Sequence, residues 1–340
     1  MLWNAAARRA ARNEGSVADI LKTDDALDAA LAILARGGIV AVPTETVYGL
    51  AGDATNGAAV ARIFEAKRRP HFNPLIAHVA DMAMAERLAE FDPVSRQLAA
   101  AFWPGPLTLV LRLKANSPIH PLVTAGLPTV ALRMPGGFAH ELIAAFGRPL
   151  AAPSANSSGR ITATTAEAVA ADLGDRLELI VDGGATPVGL ESTIVKAEAS
   201  GVRVLRPGGI AADAIETAAG VRLLREATHG IQAPGMLASH YAPGAAVRPN
   251  AQDVREGEAL LAFGPERIEG AARAVAVMNL SARGDLREAA AHLFSYLAEL
   301  DRSGAATIAV EPVPSEGLGE AINDRLARAA APRDGTDAGD

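Results

Sequence analysis

The sequence contains no cysteine, which excludes structural disulfides, thiolate metal sites and a cysteine nucleophile. Aromatic residues supply only 4% of the 340 positions while alanine is abundant, so the cores must close by tight packing of helices around small side chains. No stretch is apolar over the roughly 20 residues that a bilayer-crossing helix needs. The first fifteen residues carry arginines but no continuous apolar run of a secretory signal, and Glu14 disfavours a transit peptide. The expectation is a soluble, cytoplasmic protein with no membrane partner. A net charge of -7 argues against wrapping nucleic acid by bulk electrostatics, leaving only a local basic patch for such a role. HExxH, GxSxG, the Walker lysine motif, the EF-hand loop and GxGxxG are all missing.

What is present is a hydrophobic fraction of 49% and a length beyond the usual single domain, which together imply two domains. The most informative stretch is Pro43-Thr44-Glu45-Thr46-Val47-Tyr48-Gly49-Leu50. It follows the apolar run Ile39 to Val42 and opens on a proline, so it reads as the loop where a buried strand stops. Two hydroxyls, a carboxylate and a phenol there mark either a ligand site or a strand-end turn whose hydroxyls satisfy their own backbone.

Before that loop, residues 1–22 read as a loose extension, and Thr23 or Asp24 caps a helix that Gly37-Gly38 stops. After it, a helix from Ala58 delivers Lys67-Arg68-Arg69-Pro70 at its end, and Asn73-Pro74 leads into a strand, Leu75 to Val79, that contains His78. Asp92-Pro93 opens a helix ending near Trp103-Pro104-Gly105-Pro106. Strands follow at Leu107 to Leu113 and Thr129 to Arg133, then the polar loop Pro153 to Gly159, a helix capped by Thr164 or Thr165, and a strand at Glu178 to Val181. Ser192 to Val195 and Val202 to Arg206 form a strand pair, and residues 23–209 make one mixed α/β domain.

Residues 210–245 are a helix and an aperiodic linker, in which His240-Tyr241 is either a packing turn or a lid across the cleft. Residues 246–331 return to a strand-helix-strand rhythm, a small Rossmann-like domain, and 332–340 read as a disordered tail.

Cations and hydroxyls at strand ends are the chemistry on offer. Lys67, Arg69, Arg133 and Arg206 suit phosphates and carboxylates, with Ser154 and Asn156 as neutral partners. Such a set can serve phosphoryl or nucleotidyl transfer without a side-chain nucleophile, because that chemistry depends on positioning and electrostatics.

The Pro43 to Leu50 stretch, Lys67-x-Arg69-Pro70 with Asn73-Pro74-Leu75, Trp103 to Thr108, Arg133-Met134-Pro135, Ser154-Ala155-Asn156, Ser192 to Val195 and Leu205 to Gly208 together resemble the YrdC-like domain. Pro234 to Pro243 and the domain after it resemble the long, two-domain form of threonylcarbamoyl-AMP synthases. The resemblance implies a twisted mixed sheet with flanking helices, plus a small Rossmann-like α/β domain. It implies a reaction of L-threonine, bicarbonate and ATP, with magnesium, giving threonylcarbamoyl-AMP and pyrophosphate. The product would pass to a threonylcarbamoyl transferase complex that modifies tRNA, with at most weak contact to tRNA itself.

By the same resemblance, Lys67, Arg69, Ser154 and Asn156 fall on catalytic positions, and Thr46, His78, Arg133, Ser154 and Ser192 on threonine-binding ones. Arg69, Asn73, Thr129, Ser154, Asn156, Thr164, Arg206 and Tyr241 fall on nucleotide-binding positions, while no metal ligands are assigned. Ala233 stands where the linker commonly has serine. Two rivals remain at this point. One is a YrdC-like module that binds double-stranded RNA or tRNA on a basic concave face without catalysis. The other is a carbamoyl transferase working through a carbamoyl-adenylate, whose extra zinc-finger and acylphosphatase-like parts this chain has no room for.

Overall fold

The computed structural model describes residues 18–225, 230, 232–236 and 240–332. Twelve strands form the first sheet, beginning in chain order with β1 (Asp19–Lys22), β2 (Val40–Val42), β3 (Gly49–Asp53) and β4 (Ile76–His78). They continue with β5 (Ala89–Glu90), β6 (Leu107–Leu113), β7 (Thr129–Arg133) and β8 (Leu150–Ala151), then β9 (Leu179–Asp182), β10 (Thr193–Glu198), β11 (Gly201–Arg206) and β12 (Leu223–Leu224). Their order across the sheet is β1-β9-β2-β3-β8-β4-β7-β6-β10-β11-β12, with β5 hanging on β6. Parallel and antiparallel pairs mix, and strands such as β2 are buried along their whole length, as their unbroken apolar runs require.

The helices end where local chemistry ends them. Asn56 accepts the amides of Ala58 and Ala59 to start Gly57–Lys67, and Arg68, with φ of 50°, turns the chain out at its other end. That exit sets Lys67 inward. Asp92 caps Pro93–Phe102, Thr165 rather than Thr164 caps Ala166–Leu173, and Asp285 caps Leu286–Arg302. Thr23 caps nothing, being the first residue inside its helix, Thr23–Ala35.

Two local readings need correction. Asp19–Lys22 is not a loose extension but an edge strand paired in parallel with β9, its register running from Asp19 opposite Leu179 to Lys22 opposite Asp182. Gly49–Asp53 is not loop but a buried strand antiparallel to β2. Its sequence, with two glycines and an aspartate, carries little strand propensity, and burial on both faces overrides it.

The second sheet is parallel throughout, in the order β13 (Ala246–Arg248), β16 (Thr307–Val310), β14 (Ala259–Ala262), β15 (Val277–Asn279). The crevice beyond such strand ends is the usual ligand site of a Rossmann-like sheet. Here the buried Glu311 carboxylate fills that position, accepting the amides of Phe263 and Ile268 and pairing with Arg267 at 2.7 Å. The two domains meet in an apolar cluster in which Val47 and Leu190 join Tyr241, Leu293, Phe294 and Leu297.

Candidate active site

The sheet order brings the sequence-selected side chains to one place. β4 and β7 run parallel with His78 opposite Arg133, β6 lies antiparallel to β7, and β10 lies parallel to β6. Ser192 precedes β10 and Arg206 ends β11, so four chain segments meet around one cleft with a free volume of about 50 Å³. Arg69, Ile76, His78, Arg133, Ser154, Ser192 and Arg206 line it on the sheet side. Val47, Glu191, Pro234, Gly235, His240 and Tyr241 complete the wall, so linker and sheet share one pocket.

Its cations are buried and bound mainly to carbonyls. Arg69 donates to the oxygens of Asn73 (3.2 Å) and Pro74 (2.8 Å); Arg206 donates to the carbonyl (2.9 Å) and hydroxyl (3.2 Å) of Ser192. Neither makes an ion pair with a carboxylate among the described residues, so an incoming anion would meet uncompensated charge in a low-dielectric site. Burial, reinforced by Arg206, draws Arg69 down to about 10, which leaves it protonated at neutral pH.

Lys67 is placed differently from the reading that it contacts phosphate. Its ammonium donates to the carbonyls of Ser154 (2.6 Å) and Asn156, pinning the loop that carries both residues. Burial, then the Arg69 charge, lowers it to about 7. An approaching anion would favour its protonated form, which still has a third N–H to give.

Arg133 is paired already: it donates to Glu45 at 2.7 Å and to the Gly105 carbonyl at 3.2 Å. Burial would raise the Glu45 carboxyl, but Arg133 and the Gly136 amide outweigh it, so the pKa is lowered and the group is anionic.

Several buried polar atoms have no partner: both amide atoms of Asn73, Oδ1 of Asn156, and Nδ1 of His78 and of His240. Unsatisfied groups of this kind are costly, and a substrate can supply the missing bonds. Burial pushes both histidines down to about 3, with Arg133 adding to the effect at His78, so each is neutral at pH 7.

A stability prediction follows from those histidines. Between pH 3 and 6.5 the unfolded chain binds protons that the native imidazoles refuse, so stability is fully present above about pH 6.5 and is lost as pH falls below it. Each histidine should contribute a slope of about 1.4 kcal/mol per pH unit. Urea unfolding at pH 7, 6 and 5 measures it. In a His78→Gln variant the slope below pH 6.5 should shrink, and an unchanged slope would count against burial as the cause.

Not every sequence-selected residue lines the cleft. Thr46 is buried beside Val47 with its hydroxyl 2.8 Å from that of Thr44, which also bonds the Val47 carbonyl, so this loop satisfies much of its own polarity. Tyr48 turns away, its phenol holding the turn at Gly183 and Gly184. Thr129 shares a sheet face with Arg133 but sits at the far end of β7. Thr164 is buried and its carbonyl accepts the Thr186 amide, off the pocket wall. Missed altogether were Glu191, Thr162 and Arg325, while His240, read with Tyr241 as a packing turn or a lid, does line the cleft. The signal for Glu191 was available, as a charge immediately before the apolar strand after Ser192; Arg325 sits on an ordinary amphipathic helix and gave none.

A larger groove, bounded by Arg36, Arg62, Arg68 and Arg176, lies elsewhere. Most of its arginines are committed to the fold: Arg36 to Glu178, Arg62 to the Gly37 carbonyl, Arg176 to Ala66 and Ser157. Arg69, Arg133 and Arg206 in the cleft, and Lys67 beneath its Ser154 loop, are all less than 10% exposed, beyond the reach of duplex phosphates, so the RNA-platform reading loses its footing.

The family described as "Telomere recombination", which groups Sua5, YciO and YrdC, matches residues 32–208, and the one described as "Threonylcarbamoyl-AMP synthase, C-terminal domain" matches residues 210–331. A threonylcarbamoyl-AMP synthase of Pyrococcus abyssi is 42% identical over 327 residues, covering 89% of this chain and 94% of its own. The chain belongs to the threonylcarbamoyl-AMP synthase family. The Bacillus subtilis member is 40% identical, covering 93% of this chain and 96% of its own. Among solved structures, that of P. abyssi Sua5 complexed with L-threonine superposes with a TM-score of 0.82 at 37% identity, over 93% of this chain and 98% of that one. Escherichia coli YciO, at 20% identity and a TM-score of 0.51 over 56% of this chain, shares the fold of the first domain. Family membership therefore extends over both domains and the linker that joins them.

Proposed function

We propose that the cleft makes L-threonylcarbamoyladenylate from L-threonine, bicarbonate and ATP, releasing pyrophosphate. The observation that carries this reading is one pocket holding Arg69 and Arg206 without carboxylate partners beside neutral His78, Arg133 and Ser192. Arginines without carboxylate partners suit phosphates, and a neutral imidazole, a hydroxyl and a paired arginine suit a zwitterionic amino acid. The family's P. abyssi member binds L-threonine in its solved structure.

The threonine ammonium first gives up a proton to solvent; the free amine then adds to the bicarbonate carbon and water departs, leaving an N-carboxylate. An oxygen of that carboxylate then attacks the α-phosphorus of ATP; the bond to the bridging oxygen breaks, and pyrophosphate carries away the electron pair. Anions meet anions in both steps, so the cations of the cleft lower the barrier by opposing charge build-up. Arg69 and Arg206, with the amides of Asn73 and Asn156, take the nucleotide; Arg133, His78 and Ser192 take the threonine. Lys67 keeps Ser154 and Asn156 in register between the two.

Among the described residues no cluster of three His, Asp or Glu could hold a metal, and Glu191 is locked to Arg325 and Thr162. Magnesium would accompany ATP, held by its phosphates and water, and would there help neutralise the phosphate charge. The product is a mixed anhydride, activated for acyl transfer, and an acyltransferase acting on tRNA adenosine is the class of enzyme that would consume it.

Pyrophosphate release from purified protein, with threonine and bicarbonate each supplied or withheld, tests the reading. Release requiring both, with labelled bicarbonate entering an adenylate, is the expected result. Release from ATP alone, or none from folded protein under any combination, would overturn it.

A further inference from the structure

We infer that Arg325, on the small domain's helix Gly319–Ala330, is a positioning residue for the nucleotide half of the cleft, holding Glu191 off Arg206 and Tyr241 in the wall. The inference rests on the synthase reading for its kinetic consequences and on the structure for its geometry. Arg325 is 0% exposed, and each of its three guanidinium nitrogens donates a hydrogen bond. It donates to Glu191 at 2.9 Å, to Asp324 at 2.5 Å and to the Pro207 carbonyl at 2.9 Å, and its charge lies 5.0 Å from the Tyr241 ring centre. One planar group thus ties a loop of the first domain, the linker and its own helix together, a task that suits arginine's rigid fork and flat face.

Glu191 is the charge this arrangement controls. It lines the cleft, its second oxygen is taken by Thr162 at 2.7 Å, and it lies within electrostatic range of Arg206. Burial would raise its carboxyl, but Arg325, then Arg206 and Thr162, lower it to about 2, so it is an anion at neutral pH. With Arg325 in place that anion is spoken for, and Arg206 stays open. Without Arg325 the other arginine acting on Glu191 is Arg206, on the same cleft wall, and its pairing with Glu191 would close the phosphate position from inside. The small domain then acts on the reaction through one side chain, although its own crevice is plugged.

Full-length wild type, Arg325→Met, Glu191→Gln and the double variant would be compared by ATP and threonine dependence of pyrophosphate release, by equilibrium titration with ATP alone, and by melting temperature. Arg325→Met should raise the ATP KM and Kd about tenfold, the worth of one charge-assisted contact, while the threonine KM moves less than about twofold. Adding Glu191→Gln should restore most of the ATP affinity, because the competing anion is gone. A lowered melting temperature with the KM ratio unchanged, or equal shifts for both substrates, would reduce Arg325 to mortar between domains. No recovery in the double variant would also overturn the proposal. Should Arg325→Met not fold, Arg325→Lys takes its place: a several-fold rise in ATP Kd is expected, and an unshifted value refutes it. If the synthase reading fails, wild type releases no threonine-dependent pyrophosphate, yet the ATP titration still tests Arg325.

Discussion

Arg133→Ala should raise the apparent threonine requirement by roughly tenfold to a hundredfold while changing the ATP requirement little. The range follows from losing one charge-assisted hydrogen bond to the substrate carboxylate, worth about 1.5–3 kcal/mol in a buried site. The structure pushes the expectation toward the upper end. Arg133 already neutralises Glu45, so its removal leaves a carboxylate facing the place where threonine brings another. It should also cost stability, since breaking a buried ion pair strands the remaining charge. Arg133→Ala combined with Glu45→Gln separates the two effects: the double variant should regain stability and part of the threonine affinity. Equal increases in the threonine and ATP requirements would sink the assignment of Arg133 to threonine.

The second large effect belongs to Tyr241. The linker sequence leaves a packing turn and a lid both open, and the ring is packed as a keystone. It is 1% exposed, with ring centres 4.1 Å from His240 and 5.5 Å from Phe294, and its backbone is held at φ of 65°. Tyr241→Ala should therefore lower stability by about 3–5 kcal/mol, the usual cost of emptying a buried aromatic site. It should also raise the ATP KM far more than the threonine KM. Tyr241→Phe keeps the ring and loses only the hydroxyl. Chemical denaturation and substrate-dependent kinetics on both variants read the result; wild-type ATP dependence in Tyr241→Ala would remove the linker from the nucleotide site.

Cutting the chain after Gly230 is a harsher experiment than the sequence suggests. A separate linker and small domain imply that the first domain would survive alone. The structure shows Val47 and Leu190 inside the shared apolar cluster and Glu191 relying on Arg325. Truncation would expose the first pair to water and strand the second charge, so loss of stability is expected together with loss of ATP use.

Much of this molecule is legible without coordinates because its determinants are short and contiguous. Asn56, Asp92, Thr165 and Asp285 mark helix starts through bonds to amides two or three residues on, and apolar runs such as Leu107–Leu113 mark strands. The cations and hydroxyls after those runs name the chemistry, since strand ends are where side chains can meet a ligand. Gly49–Asp53 and Asp19–Lys22 escaped because their strand state comes from neighbours across the sheet rather than from their own residues.

The sequence by itself determined which groups are available, that two domains are joined by a linker, and the family to which they belong. Only the tertiary structure decided which charges are free. Arg69 and Arg133 look alike as arginines near strand ends, yet one faces carbonyls and the other a carboxylate 88 positions away. Glu191 and Arg325 lie 134 positions apart and meet because a second domain packs on the first. The reason is physical: local order depends on neighbours in the chain, whereas burial, charge pairing and the energy of an unpaired polar atom depend on whatever the fold brings alongside.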